Sequence, residues 1–188
     1  MGISLKSKHN KNDICKPIQS QSSRRGKYIT TTGIMAALIV LMTAYICHIP
    51  LGINGGYIHF GDALIYLAAV LLPKPYALAA AGIGGGLADL MTAPMWMGAT
   101  IIIKMLIVLP FTEYSKKIIS LRNIIATVLA YFISGIGYFL AQFVLFQTQD
   151  VFWISMLQSL VQAVGSAVFF IVFGMALDKV DFKKRLMN

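Results

Sequence analysis

The sequence predicts an all-α integral membrane protein of six transmembrane helices with both termini in the cytoplasm. Three observations predict it. First, the 188 residues are 57% hydrophobic and only 12% charged, about half the charged share of a soluble domain. Second, the charge is unevenly placed: seven of the 16 Lys and Arg fall in the first 28 residues. Third, the remainder is a series of apolar runs, and about six spans of roughly 20 residues fill the length. An ordinary soluble domain and a disordered chain are excluded. There is no room for a separate catalytic or nucleotide-binding domain.

The elements follow from breaks in the apolar pattern. The spans are expected at 30–47, 58–72, 76–93, 95–111, 124–146 and 152–177. Pro73-Lys74-Pro75 separates the second from the third, and Pro94 the third from the fourth. A polar, basic stretch at 112–123 precedes the fifth. In domain terms, residues 1–28 read as a mobile basic tail, 29–178 as the membrane domain and 179–188 as a second basic tail. The first tail lacks an apolar core, so it does not read as a secretory signal. Its positive charge suits lipid head groups rather than nucleic acid, because the basic residues flank apolar spans. Cys15 and Cys47 sit in unlike surroundings, and neither a disulfide nor a metal site is expected.

Charge asymmetry sets the orientation. With the N-terminal tail inside, the same side receives Lys74, then Lys116, Lys117 and Arg122, then Lys179, Lys183, Lys184 and Arg185. That makes fifteen of the 16 basic residues. The loops of the opposite side hold none, and Lys104 lies inside the fourth span. Such a bias is the positive-inside pattern, and five or seven spans would destroy it.

This orientation places most polar groups of the spans in the outer leaflet. His59 and Asp62 fall near the outer end of the second span, and Asp89 about one turn below the outer end of the third. Lys104 falls roughly 12 Å down the fourth. Gln142 lies near the outer end of the fifth; Ser155, Gln158, Ser159 and Gln162 enter with the sixth. Gln158 and Gln162 are four apart and share one helical face. A charge in hydrocarbon is costly and faces a partner or a cavity. An ion pair of Lys104 with Asp89 would lock neighbouring helices. Amides, hydroxyls and charges gathered at one depth instead favour an outward-facing pocket for a small polar solute, with Asp89 or Asp62 offsetting Lys104.

The connection 48–57 is the longest on the outer side, and Asn54-Gly55-Gly56 suits a tight turn. It is either a plain turn or a lid over the pocket, with its glycines as hinges and Tyr57 as an aromatic surface, and His48 and His59 could contact solute. Trp96 and Trp153 fall at outer boundaries, where an interfacial aromatic belt explains them, a stacking role for one being the second option. Small residues form two faces: Gly33, Ala36 and Ala37 on the first span, and Ala81, Gly82, Gly85 and Gly86 on the third. Both permit close helix approach. The third-span face reads as internal packing. The first-span face could serve a partner subunit.

The segment 56–106 resembles the substrate-binding S components of energy-coupling-factor (ECF) vitamin transporters. The resemblance is carried by Tyr57-Ile-His-Phe-Gly-Asp-Ala-Leu-Ile-Tyr-Leu-Ala-Ala-Val-Leu-Leu-Pro73, Gly82-Ile-Gly-Gly-Gly-Leu-Ala-Asp89 and Thr100-Ile-Ile-Ile-Lys104. The pattern looks like the branch with hydroxymethylpyrimidine, pyridoxine and riboflavin-type S components. The resemblance implies a multi-pass subunit of the prokaryotic plasma membrane that captures a vitamin at its outer side. It further implies a transmembrane coupling subunit and two ATPases as partners, with no cofactor and no catalysis in this chain. In that family an alanine-xxx-alanine motif on the first helix meets the coupling subunit; the nearest match here is Gly33-xxx-Ala37. Family pockets use the first outer loop and the outer halves of helices four to six, matched here by Asn54, Lys104, Gln142, Gln158 and Gln162.

Two other classes compete. A stand-alone secondary transporter needs an inner gate and usually an internal repeat, and the inner halves lack polar groups. A membrane enzyme could use His59, Asp62 and Asp89 for acid–base chemistry, but the sequence offers no nucleophile motif or metal set.

Overall fold

The computed structural model describes residues 18–46, 48–50, 57–147 and 152–187. Helix α1 (Ile18–Leu41) runs without a break into a π-helical turn, Met42–Ile46. A minimal antiparallel ladder follows: β1 (Ile49–Pro50) pairs with β2 (Tyr57–Ile58), Ile49 opposite Ile58. Then come α2 (Asp62–Leu71), α3 (Lys74–Thr92), a 3₁₀ turn at Pro94–Trp96, α4 (Met97–Val108), α5 (Leu121–Phe146), α6 (Phe152–Lys179) and the short α7 (Phe182–Met187). The helical class holds, with four residues of ladder as the extended pairing among those described.

Among the described residues, three helical stretches are long and apolar enough to cross a membrane: Arg24–Ile46, Leu121–Phe146 and Ser155–Lys179. The apolar helices Asp62–Leu71 and Pro94–Val108 are shorter. Two boundaries differ from expectation. Helix α1 begins at Ile18, inside the segment read as a tail: residues 18–28 hold no proline, and the single glycine, Gly26, lies within the helix. Likewise α7 forms within the basic C-terminal segment, tied by the Lys184–Asp181 ion pair at 2.7 Å.

Helix α2 explains the architecture. All of its ten residues except Leu64 are buried. A helix apolar all round belongs in the middle of a protein, and α2 packs against α1, α3, α4 and α6 at once. It ends at Pro73, which forces the preceding residue into extended backbone, and Leu72 has ψ 149°. Pro75 then sits in the first turn of α3, where its missing N–H is harmless.

Helix α3 lies between α1 and α4 and approaches both closely. A Cβ on Gly84 would lie 2.8 Å from the Ile39 Cβ and 3.0 Å from the Ala36 carbonyl of α1; a Cβ on Gly86 would lie 2.6 Å from Ile101 of α4. The small residues of α3 are therefore internal packing, as their spacing implied. On α1 the small face is divided. Ala36 is buried against α3, whereas Gly33 and Ala37 are exposed, and among the described residues nothing lies within 4 Å of a Cβ placed on Gly33.

The irregular segment between α4 and α5 is pinned by side chains. The Asn123 Oδ1 accepts from the Thr112 N–H at 3.0 Å, and its Nδ2 donates to the Ile118 carbonyl at 2.9 Å. The Asp178 carboxylate accepts from the N–H groups of Ile118 and Ile119 at 2.8 and 3.0 Å. Lys74 closes the end of α4, donating to the carbonyls of Val108 and Phe111, where a cation also opposes the helix dipole.

Candidate functional site

At the α2 N-terminus, four helices bring polar side chains together. Asp62, in the first turn of α2, accepts from the Lys104 ammonium of α4 at 2.6 Å through Oδ1. Its Oδ2 accepts from Gln162 Nε2 of α6 at 2.7 Å. Both charged groups are almost wholly buried, at 1% exposure. The Lys104 ammonium also lies 5.5 Å from the centre of the Tyr138 ring of α5, within cation–π range. The Tyr138 hydroxyl in turn meets Thr100 at 3.0 Å. One buried ion pair thus joins α2 to α4, while an amide adds α6 and an aromatic ring adds α5.

Above this pair lies a cavity of about 60 Å³. Gln162 forms part of its wall, along with His59, Asp89, Trp96 and Tyr138. Gln142, Ser155, Gln158 and Ser159 complete it. Ser155 donates to the Gln142 Oε1 at 2.8 Å, linking α5 to α6. The buried His59 accepts the Gly61 N–H at Nδ1 (3.1 Å) and lies 3.5 Å from the Thr43 hydroxyl in the π-helical turn. That assigns the ring proton to Nε2. Gly61 itself has no room for a side chain, since a Cβ would collide with the Thr43 hydroxyl. The wall thus offers amide and hydroxyl donors and acceptors, one carboxylate and two aromatic rings, a set suited to orienting a small polar molecule.

Most of the sequence-derived set converges here. His59, Asp89, Gln142, Gln158 and Gln162 border the cavity. Lys104 and Asp62 do not; they sit one layer behind it, held by each other. The ion pair of Lys104 is with Asp62, not with Asp89 as the neighbouring-helix argument had it, because the central position of α2 brings Asp62 against α4. Tyr57 is placed by its backbone in β2, and Asn54 lies outside the described residues. Trp96 is 5% exposed and meets Tyr138 edge-on at 6.1 Å, which overturns the interfacial-belt reading for this residue. Trp153 is 79% exposed. Tyr138 was not anticipated, although its spacing of four from Gln142 puts both on one helical face.

Residues 25–180 match the family of ECF-type riboflavin transporter S components. A protein of Pyrococcus woesei described as an uncharacterized protein in gap 3'region is 32% identical over 108 residues, covering 57% of this chain and 73% of that protein. The family match spans all the helices that build the cavity, from α1 to α6. The chain belongs to the ECF-type riboflavin transporter S component family.

Proposed function

We propose that this chain is the substrate-capture subunit of an ECF-type importer. In this reading it crosses the membrane six times with both ends in the cytoplasm, and the polar cavity at the α2 N-terminus opens outward. A small water-soluble vitamin binds there. A transmembrane coupling subunit and two ATPases then deliver it inward. The carrying observation is the cavity itself: nine polar or aromatic side chains converge on it, at the end of the bundle away from Lys116, Lys183 and Lys184. The family makes riboflavin the first ligand to test. The cavity is smaller than the roughly 300–1,000 Å³ of ordinary small-molecule sites, so a vitamin enters only as the surrounding helix ends part. The test is purification of the tagged full chain from native membranes. Copurification of a coupling subunit with two ATPases, and a vitamin released on denaturation, is the expected result. Uptake by the chain reconstituted alone would overturn it.

The orientation has its own test. In a chain with Cys15 and Cys47 changed to Ser, a single Cys at Ser120 is expected to react only with reagent on the cytoplasmic side. A single Cys at Asn54 or Gln149 is expected to react from outside. Outside labelling at Ser120 discards six spans.

The open small face of α1 suits a coupling partner, because a helix can approach closely over Gly33 and Ala37. Both positions are exposed and no described residue lies within 4 Å of a Cβ on Gly33, so larger side chains fit the isolated subunit. Gly33→Leu with Ala37→Leu is therefore expected to leave vitamin binding intact and abolish ATP-dependent uptake. Full uptake in the well-expressed double variant would remove this face from the coupling interface.

A further inference from the structure

The opposite end of the bundle holds a second cavity with two buried charged atoms that make no hydrogen bond among the described residues. Lys183 is 4% exposed, and its ammonium has no hydrogen-bond partner among the described residues. Glu113 Oε2 is buried and likewise makes no hydrogen bond, with Lys74 Nζ 4.0 Å away. The other acids nearby are engaged: Asp178 takes two backbone N–H groups and Asp181 takes Lys184. Burial pushes the Lys183 ammonium below the ordinary lysine value, opposed by the neighbouring Asp178 and Glu113. A buried charge without a hydrogen-bonded partner is costly, and a molecule that satisfies it removes that cost.

Both groups border one space of about 690 Å³, room for roughly twenty waters. Tyr28, Leu71, Pro73 and Tyr114 supply its apolar walls. Lys116 and Lys184 also border the space, but both are exposed and Lys184 is held by Asp181, so the buried charges are Lys183 and Glu113: an anion alone would satisfy Lys183 and be repelled by Glu113, and a cation alone would do the reverse. We propose that this cavity binds the head group of a zwitterionic aminophospholipid. The lipid phosphate accepts from the Lys183 ammonium, the lipid's primary ammonium donates to the Glu113 carboxylate, and the first carbons of the chains lie against Leu71, Pro73 and the two tyrosines. The apolar walls favour a lipid over a soluble zwitterion. The site is separate from the vitamin cavity and does not depend on which vitamin is carried.

The test uses the purified full chain in detergent and four probes: dioctanoyl-phosphatidylethanolamine, its phosphatidylcholine and phosphatidylglycerol counterparts, and chain-free glycerophosphoethanolamine. The phosphatidylethanolamine is expected to bind saturably and about tenfold more tightly than the choline lipid, which has no ammonium N–H, and than the glycerol lipid, which has no cation. Glu113→Gln is expected to erase that preference, and Lys183→Met to weaken all three lipids about tenfold or more. Equal affinity for the three lipids, or no saturable binding, overturns the proposal. Equal affinity for glycerophosphoethanolamine makes the ligand a soluble zwitterion and overturns the lipid assignment. Should either variant fail to fold, the comparison of head groups on the unaltered chain decides.

Discussion

Lys104→Met is expected to destabilise the protein by about 3–5 kcal/mol, because it strands the buried Asp62 carboxylate with only the Gln162 amide beside it. The sequence placed Lys104 among the pocket residues, a position in which its loss would weaken binding in a folded protein. The geometry reverses it: Lys104 is spent on Asp62 and lies behind the cavity wall. Asp62→Asn in the same chain is expected to restore much of the loss, since it removes the stranded charge and keeps an acceptor for Gln162. Thermal unfolding of the single and double variants in detergent measures both. A stable Lys104→Met protein that has lost only ligand affinity would return this residue to the site.

The two glutamines of α6 should separate binding from stability. Gln158→Leu is expected to weaken vitamin binding about tenfold while leaving the unfolding temperature nearly unchanged, because the half-buried amide faces the cavity. Gln162→Leu removes a cavity amide and also a hydrogen bond to the buried Asp62 carboxylate. It is expected to lose binding to a similar degree and about 1.5–3 kcal/mol of stability besides. Riboflavin titration, read by flavin fluorescence, and thermal unfolding give the two quantities. Unchanged binding in both variants would place the site elsewhere.

Much of this site was legible in the sequence because intramembrane polarity is scarce. In a chain this apolar, each amide or charge within a span requires a reason, and His59, Asp89, Gln142, Gln158 and Gln162 do reach one cavity. What could not be read was which charges meet. Asp89 lies nearer to Lys104 along the chain, yet Asp62 is its partner, since only packing shows that α2 occupies the centre of the bundle. Trp96 posed a similar problem. A tryptophan at the edge of a span serves equally as a lipid-facing belt or a buried wall, and contact with Tyr138 and Phe146 decides the second. The small-residue stripe of α3 was read correctly because overlapping pairs leave it little to do besides packing. On α1, periodicity put Ala36 beside Gly33 and Ala37, but the helix turns Ala36 into the protein and the other two out.

The unequal lengths of the helices bear on the surrounding bilayer. At 1.5 Å per residue, α5 and α6, with 26 and 28 residues, are about 39 and 42 Å tall, and α4, with 12, about 18 Å. The hydrocarbon core is about 30 Å thick. Protein shields the short α2 on nearly every side, but α4 presents Ile102, Met105 and Leu106 outward, while α5 presents Val128, Phe132 and Leu140. In the membrane-spanning arrangement, lipid tails therefore meet a tall wall at α5 and a low one at the neighbouring α4. Hydrophobic mismatch of this kind is relieved by tilting the protein or thinning the bilayer, at fractions of a kcal/mol per Å. The resting tilt of the subunit is thus a function of membrane thickness, and lipids of longer or shorter chain should shift it without touching either cavity.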